Sequence, residues 1–360
     1  MRLPRAVPLQ ALYITNPHGP QPFKLELPSR DRHRKIPLYI FVPPVKFPDV
    51  DSPDPTPTPS DFPMIHDYHG GSFAYGSCLE QAPFCAKLCR ELQTIVIGVD
   101  YRMAPLHKFP AAIEDSEDVV RAMLDPDCPG YKVLRAGVSD YLRRQWYETL
   151  GTPEERKKER VPLPPQPKIH LDKTRIAFSG ASSGGNIALN MGIHAPAALG
   201  MQDWPCPVPF DYPYPVPLLL LYPALDLRQR PNERFRPEKL GPLPEKQRLD
   251  IDNHLASTYV SREMSAHPRA SPGLVDTRTC LHPNAKVLII LSGLDTLWEQ
   301  SEIYVKKVEA EGRMKDMKVM RYEDRKHGWA TIPEIALSKE ERKTRLEVLE
   351  ECVRFTEVAW

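Results

Sequence analysis

The sequence predicts an α/β fold in which helices cover both faces of a mostly parallel β-sheet. From Met64 onward, short apolar runs alternate with stretches of helical periodicity, a pattern typical of βαβ units. The runs 95–102 and 217–223 are rich in β-branched or other apolar residues, as expected for strands buried on both faces. We expect a single domain over residues 1–360, although this length would also allow two smaller ones.

The predicted elements follow one another along the chain. Strands are predicted at 36–42, within 64–71, and at 95–102, 175–180, 217–223, 286–293 and 318–324. Helices are predicted at 79–92, 110–124, 184–195, within 249–264, near 299–312 and at 339–359. Strand 36–42 is expected at an edge of the sheet, and the proline-rich run 49–61 is expected to be a loop. Two insertions, 125–170 and 202–216, interrupt the alternation.

Composition and charge argue against several classes of function. The 48 basic and 47 acidic residues give a net charge of +1, so no basic field attracts nucleic acid or an anionic membrane. No run approaches the roughly 18 apolar residues of a membrane span, and the N-terminus lacks the apolar core of a secretory signal. The seven cysteines have no paired CxxC spacing and are expected to be free thiols. We therefore expect a cytoplasmic protein.

The stretch IAFSGASSGGNIAL, residues 176–189, places three serines at a predicted strand-to-helix turn. A serine that ends a strand and begins a helix needs residues without side chains two positions before it and two positions after it. Ser182 has glycine at both positions. Ser179 has alanine at both, and Ser183 has glycine at only one. Ser182 is therefore the candidate nucleophile.

A serine hydroxyl needs a general base, which is in turn oriented by an acid. His327 follows the last predicted strand, whereas the other downstream histidines lie on predicted helices or precede prolines: His194, His254, His267 and His282. Asp295 follows strand 286–293 and is the leading candidate for the acid, with Glu299 as the second choice. Asp226 lies nearer the nucleophile in chain order, and Asp324 is too close to His327 in sequence.

The run HGG at 69–71 follows the first strand of the alternating region. Glycines allow backbone N–H groups to approach a substrate oxygen closely, and the N–H of Ser183 is a further donor next to the candidate nucleophile. These groups indicate a site for a developing oxyanion. His66 and His69 have no acidic or cysteine cluster beside them, and no H-E-x-x-H occurs, so we predict neither a metal nor a cofactor.

Taken together, these motifs resemble the hormone-sensitive-lipase-like family of α/β hydrolases, which includes microbial and fungal carboxylesterases. The matching segments are HDYHGGSFAYGS, VDYRMAPLHKFPAAIED, LDKTRIAFSGASSGGNIAL, LLLYPALDL, ASPGL, LIILSGLDTLWEQS and YEDRKHGWA. They span about residues 64–330 in family order. The family pattern differs here at Ala181, where an acidic residue is usual, and at Trp298, where arginine is usual.

The resemblance implies an α/β-hydrolase fold and a serine carboxylesterase acting on a small-molecule ester without a cofactor. It implies a catalytic triad of Ser182, Asp295 and His327. It implies that the oxyanion donors are Gly70, Gly71 and Ser183, with Ser72 as an additional candidate. It also implies a helical cap built from about 1–60 and 227–280.

The sequence leaves several alternatives open. The same serine could serve an acyltransferase or a lactonase, and the fold could belong to a non-catalytic binding protein, although the retained His327 favours catalysis. The substrate could be a short-chain ester or a natural-product ester of secondary metabolism. The aromatic residues of the insertions could be surface anchors or a lid over a bulky substrate: Trp146, Tyr147, Trp204, Phe210, Tyr212 and Tyr214. The oligomeric state is open, with a homodimer as one option.

Overall fold

An eight-stranded sheet forms the centre of the computed structural model, which describes residues 12–31, 33–241, 251–332, 334 and 337–360. The strands are β1 Phe23–Pro28, β2 Lys35–Phe41, β3 Asp61–Tyr68, β4 Ile95–Val99, β5 His170–Ala181, β6 Val216–Leu221, β7 Ala285–Leu294 and β8 Met317–Lys326. Their order is β1-β2-β4-β3-β5-β6-β7-β8. β2 is antiparallel to β1 and β4, and every other adjacent pair is parallel. The predicted α/β class with a mostly parallel sheet is confirmed.

Helices cover both faces of this sheet. They are α1 Leu12–Thr15, α2 Ala82–Glu91, α3 Ala111–Leu124, α4 Pro129–Glu148, α5 Pro153–Glu159, α6 Ser183–Asn190, α7 Ile251–Tyr259, α8 Trp298–Ala310 and α9 Lys339–Ala359. Buried side chains of α3, α4, α6 and α8 form one core layer, and those of α2 and α9 form the other. In β6, Leu218 and Leu220 face the first layer while Leu219 and Leu221 face the second. This alternation explains why the strand is apolar at successive positions.

The N-terminal strands differ from the sequence-based expectation. The strand expected at the edge, 36–42, corresponds to β2 and is second in the sheet, because the unpredicted β1 pairs along its outer side. β1 is short and half-exposed, so its apolar signal is weak. Within the range 1–60, expected to contribute to a cap, the described residues include both of these strands. Residues 1–11 lie outside the described residues.

The first insertion, 125–170, contains α4 and α5. α4 packs against α3 and β1. Its Trp146 is buried and stacks on Phe47 with ring centroids 5.6 Å apart, and Tyr141 stacks on Phe23 of β1 at 4.6 Å. The insertion therefore supports the edge of the sheet formed by β1.

The second insertion, 202–216, is mostly irregular and is fixed by hydrogen bonds. The buried guanidinium of Arg269 donates to the carbonyl oxygens of Trp204 and Pro205, at 3.3 and 2.6 Å. The Tyr212 hydroxyl donates to the carbonyl oxygen of Lys173 at 2.8 Å. These contacts anchor the segment against the body of the protein.

The parallel strands bring the chemically interesting segments to one edge of the sheet. β3 leads into the loop 69–72, β5 ends next to Ser182, β7 ends next to Asp295, and β8 ends next to His327. The carboxyl ends of parallel strands are the usual location of sites in such folds. None of the helices in the described ranges has both the length and the apolarity needed to cross a membrane.

We expect the two-sided burial of the sheet to dominate stability. Ile289→Ala in β7, where the side chain is fully buried, should lower the free energy of unfolding by about 2–5 kcal/mol, because it leaves a cavity. The matched control is Ile303→Ala in α8, where the side chain is 61% exposed, and it should change stability by less than about 0.5 kcal/mol. Urea unfolding of both variants measures the difference, and equal losses would contradict the assigned burial.

Candidate active site

The turn between β5 and α6 has a strained backbone at Ser182, with φ 56° and ψ −118°. A Cβ atom at Gly180 would lie 2.2 Å from the carbonyl oxygen of Gly184. A Cβ atom at Gly184 would lie 1.9 Å from the carbonyl oxygen of Tyr68. Both distances are far below contact distance, so the glycines flanking Ser182 are a steric requirement of this turn.

Neighbouring segments hold Ser182 in place. Its N–H donates to the carbonyl oxygen of Leu221 at 2.9 Å, and its carbonyl oxygen accepts from the N–H of Ala224 at 3.0 Å. The other two serines of the turn are buried, and Ser179 donates its hydroxyl to Asp67 Oδ1 at 2.7 Å. Of the three serines, Ser182 is the one whose hydroxyl contacts His327, with Oγ 3.0 Å from Nε2.

The structure brings the three candidate catalytic residues into one hydrogen-bonded chain. His327 Nε2 lies 3.0 Å from Ser182 Oγ, and His327 Nδ1 lies 2.6 Å from Asp295 Oδ2. Asp295 is 3% exposed, and its Oδ1 accepts from the N–H of Leu297 at 2.9 Å. Because a carboxylate only accepts, Nδ1 is the donor, which leaves Nε2 of the neutral ring to accept from the serine hydroxyl. Tyr222 packs edge-on against the imidazole, with ring centroids 5.1 Å apart.

The two glycines of the 69–71 run lie beside the serine turn. A Cβ atom at Gly70 would stand 3.1 Å from the carbonyl oxygen of Ala181 and 3.4 Å from Ser182 Cβ. Gly71 has φ 118°, and a Cβ there would lie 2.0 Å from the carbonyl oxygen of Tyr75. Within the described residues, the N–H groups of Gly70 and Gly71 donate no backbone hydrogen bond. They therefore stay candidate donors to a ligand oxygen.

The remaining oxyanion candidates border the same space. Ser183 is the first residue of α6, so its N–H has no acceptor within the helix. Ser72 and Phe73 both have positive φ, 52° and 59°, and both line the cavity that Ser182 borders. Tyr101 holds the start of the loop in place. Its hydroxyl donates to the carbonyl oxygen of His69 at 2.7 Å, and its ring stacks on the imidazole ring of His69 with centroids 4.4 Å apart.

The buried carboxyl group of Asp67 lies in β3, the strand that leads into the loop 69–72. Asp67 accepts from Gln81 Nε2 at 2.8 and 2.9 Å and from the Ser179 hydroxyl at 2.7 Å. It is fully buried, and burial raises the pKa of its carboxyl to about 7. The pair Asp67 and Ser179 links β3, which leads into the loop 69–72, to β5, which leads to Ser182. Sequence patterns missed this link because it depends on strand register.

A cavity of about 390 Å³ opens above the serine, within the range of small-molecule sites. Its apolar wall includes Phe73, Tyr75, Leu227, Leu240, Tyr259 and Val260. Its basic lining residues are Arg230, Arg234, Arg236 and Lys326. Among the described lining residues, Asp295 supplies the carboxylate. The run 228–236 is rich in arginine, but its sequence does not show which of these side chains border a cavity.

The roof of the cavity is joined to the loop below it. The ring of Phe73 stacks on Tyr259, the last residue of α7, with centroids 3.9 Å apart. The carbonyl oxygen of Tyr259 accepts from the N–H of Phe109 at 2.8 Å. Thus part of the range 227–280, expected to form a cap, borders the cavity. Residues 242–250 of that range lie outside the described residues.

The insertions do not reach this cavity. None of their six singled-out aromatic residues lines it, so the interpretation of these residues as a lid is wrong. The physical reason is topological. Each insertion runs into the first residue of a strand, β5 or β6, and so lies toward the amino ends of the strands, opposite the serine.

The alternative site residues have other roles. Asp226 pairs with Arg228 at 2.8 Å, and Asp324 pairs with Arg325 at 2.8 Å. Glu299 is in the first turn of α8 and borders a different surface depression.

His66 is fully buried, and burial lowers its pKa to about 3. Within the described ranges, no three His, Cys, Asp or Glu side chains are grouped so that they could bind a metal ion.

Comparison with known proteins agrees with this architecture. A family model described as alpha/beta hydrolase fold matches residues 65–331. The chain belongs to this family. The resemblance stated from the sequence motifs is therefore confirmed, and it covers about three quarters of the chain.

Individual relatives are more distant. The chain is 35% identical over 175 residues to "Probable carboxylesterase 8" of Arabidopsis thaliana, covering 47% of this chain and 43% of that protein. It is 26% identical over 258 residues to "Carboxylic ester hydrolase LipN" of Mycobacterium tuberculosis, covering 72% of this chain and 55% of that one. The chain thus spans about half the length of these relatives. An esterase structure from Pyrobaculum calidifontis, 20% identical, covers 98% of this chain and 90% of its own with a TM-score of 0.60, so the fold is shared.

We expect the raised pKa of Asp67 to appear in the pH dependence of stability. The folded value of about 7 exceeds the unfolded value of about 3.9, so the folded state binds more protons in this interval and stability falls as pH rises through it. Asp67→Asn removes the titration, and the side-chain amide of Gln81 can rotate to pair with it. The unfolding free energy of the wild type, minus that of Asp67→Asn, should fall between about pH 4 and pH 7, by a few kcal/mol at most.

Urea unfolding across this pH range measures that difference. The exposed Asp51→Asn is the matched control, and its difference from the wild type should stay flat. A flat difference for Asp67→Asn as well would show that the carboxyl titrates normally.

Proposed function

We propose that the protein is a serine carboxylic-ester hydrolase with Ser182 as nucleophile, His327 as general base and Asp295 as the orienting acid. The observation that supports this most directly is the hydrogen-bonded chain from Asp295 through His327 to Ser182, with distances of 2.6 and 3.0 Å. Its position below a cavity at the carboxyl edge of the sheet agrees with such a role. The relatives named as carboxylesterases add support for the reaction class.

The first half of the reaction is acylation. His327 Nε2 takes the proton of Ser182 as Oγ attacks the ester carbonyl carbon, and Asp295 stabilises the imidazolium that forms. The carbonyl oxygen becomes an oxyanion, for which the N–H groups of Gly70, Gly71 and Ser183 are the candidate donors. The imidazolium then protonates the departing alkoxide, which leaves as the alcohol, and an acyl-serine remains.

The second half is deacylation. Water gives a proton to His327 Nε2 and attacks the acyl carbon, and the same N–H donors bind the second oxyanion. The proton returns to Ser182 Oγ as the carboxylic acid leaves. If an alcohol or an internal hydroxyl replaced water, the same residues would perform acyl transfer or lactone formation. Product analysis with and without a competing alcohol distinguishes these alternatives, and the aligned residues argue against a purely binding protein.

The cavity size suits a small ester better than a bulky one. About 390 Å³ accommodates a short acyl chain and a modest alcohol, and the insertions add no aromatic lid. We therefore favour small esters over large, flat natural products. A cytoplasmic location, a role in secondary metabolism and a homodimer stay predictions from the sequence.

Ser182→Ala should reduce hydrolysis of 4-nitrophenyl butyrate to background, because among the described residues Ser182 supplies the hydroxyl that contacts His327 Nε2. Release of 4-nitrophenol followed by absorbance gives the rate. A fluorophosphonate probe, mapped by mass spectrometry, should label Ser182 in the wild type and leave the variant unlabelled. Hydrolysis by Ser182→Ala at the wild-type rate would contradict the proposed function.

Asp295→Asn should lower kcat by about 10⁴-fold, because an amide can favour the wrong tautomer of His327. Two matched variants of the rejected acids, Asp226→Asn and Glu299→Gln, should stay within about threefold of the wild type, because their side chains form no hydrogen bond with His327. A loss in either that matched the loss in Asp295→Asn would mean that the acid is misassigned.

A further inference from the structure

Arg230, in the cavity wall, forms no salt bridge with any carboxylate in the described part of the chain. Among the described residues, its guanidinium donates to two backbone carbonyl oxygens, those of Ala256 and Val260, each at 3.1 Å. The nearby Glu233 carboxylate is bound by both terminal nitrogens of Arg262 and by the backbone N–H of Arg230. Burial is the largest influence on the pKa of Arg230, and it lowers that pKa. The charge of Arg262 lowers it further, and the opposing effect of the Glu233 carboxylate is smaller.

Two further basic side chains of the wall, Arg236 and Lys326, also form no salt bridge within the described residues. Arg236 donates to the carbonyl oxygens of Gly241, at 2.5 Å, and Leu240, at 3.3 Å. Lys326 is exposed and directly precedes His327. In the described part of the chain, neither forms an ion pair. Arg234 lines the same wall but has an interaction of its own.

This concentration of positive charge is local. The whole chain carries a net charge of only +1, yet the described lining of the cavity has four basic side chains and one carboxylate. That carboxylate, Asp295, is already bound to His327 and to the N–H of Leu297. Apolar side chains border the basic ones, and interactions between charges strengthen where water is partly excluded. An anionic group entering the cavity would therefore meet Arg230, Arg236 and Lys326, which form no ion pair with the described residues.

We propose, building on the esterase function above, that the preferred substrate is an ester that also carries a carboxylate, bound by Arg230, Arg236 and Lys326. The planar guanidinium matches the two oxygens of a carboxylate, and each arginine keeps donors beyond those used for backbone carbonyls. The second carboxylate takes no part in bond making. Water adds across the ester bond as above, and the extra charge positions the carbonyl over Ser182. A cavity of this size admits a small anion rather than a polymer.

The test compares matched pairs of charged and neutral esters. In the first pair, mono-4-nitrophenyl glutarate and 4-nitrophenyl pentanoate place the charge in the acyl group. In the second pair, 4-acetoxybenzoate and its methyl ester place the charge in the alcohol. The measured quantity is the ratio of kcat/KM for the charged ester to that for the neutral one. Comparing this ratio between enzyme variants cancels the intrinsic reactivity of each ester and the active fraction of each preparation.

The double variant Arg236→Gln with Lys326→Gln should lower this ratio at least about tenfold in one of the two pairs, and the responding pair identifies the side that carries the charge. The single variant Lys326→Gln, at an exposed position, should lower it in the same pair and serves if the double variant fails to fold. Lys239→Gln, an exposed residue of the same segment that does not line the cavity, is the matched control and should leave the ratio unchanged. Added salt should reduce the wild-type ratio in the responding pair.

Failure of this inference and failure of the esterase function give different results. Hydrolysis of the neutral esters with ratios that none of the lining variants changes would overturn the inference and leave the esterase intact. Hydrolysis of no ester above the Ser182→Ala background, without fluorophosphonate labelling, would overturn both. A wild-type enzyme inhibited competitively by glutarate more strongly than by pentanoate would support the inference independently of turnover.

Discussion

Gly184 packs against the carbonyl oxygen of Tyr68 so closely that an added methyl carbon would stand 1.9 Å from it, and the geometry of the site depends on this contact. It joins the first turn of α6 to the end of β3. One side of the contact leads to Ser182 and the other to the loop 69–72. The distance between the serine hydroxyl and the glycine N–H groups is therefore set by backbone packing, without long side chains that could change rotamer.

The two buried carboxyl groups of Asp67 and Asp295 make different contacts. Asp67, in β3, contacts neutral donors in a fully buried position, and burial raises the pKa of its carboxyl. Asp295 is also buried but contacts an imidazole and a backbone N–H. Above the serine, the cavity wall is basic. Positive charge there would favour negative charge that develops on a substrate carbonyl oxygen, so the proposed role of the wall in binding is compatible with the proposed chemistry.

The sequence predicted the central strands and the positions of Ser182, Asp295 and His327 directly after strand ends, because both follow local rules. Strands buried on two faces are apolar at successive positions, and the glycines around Ser182 are needed by the turn itself. The helix α4 was overlooked within a polar insertion, although Leu134, Val138 and Leu142 have helical spacing and are buried. The pairing of Asp67 with Ser179 could not be found, because it follows from strand register.

The basic wall was missed for a different reason. A run of arginines with acidic residues between them is usually solvated, and nothing in the run 228–239 separates the side chains that face a cavity from those that face water. Glu233 pairs with Arg262, whereas Arg230 in the same run turns toward the end of α7. This separation depends on the path of the segment over the sheet.

The stacking of Phe73 on Tyr259 has a consequence for how ligands enter. The C-terminal end of α7 is attached both to the loop below it and, through the carbonyl oxygen of Tyr259, to Phe109. A rigid tilt of this helix would therefore hinge at Tyr259. Because Phe73 is two residues from Gly71, the same tilt would pull on the backbone that presents the oxyanion donors. If α7 tilted to admit a ligand, the same movement would therefore shift the candidate oxyanion donors, and ligand entry would be coupled to the arrangement of the site.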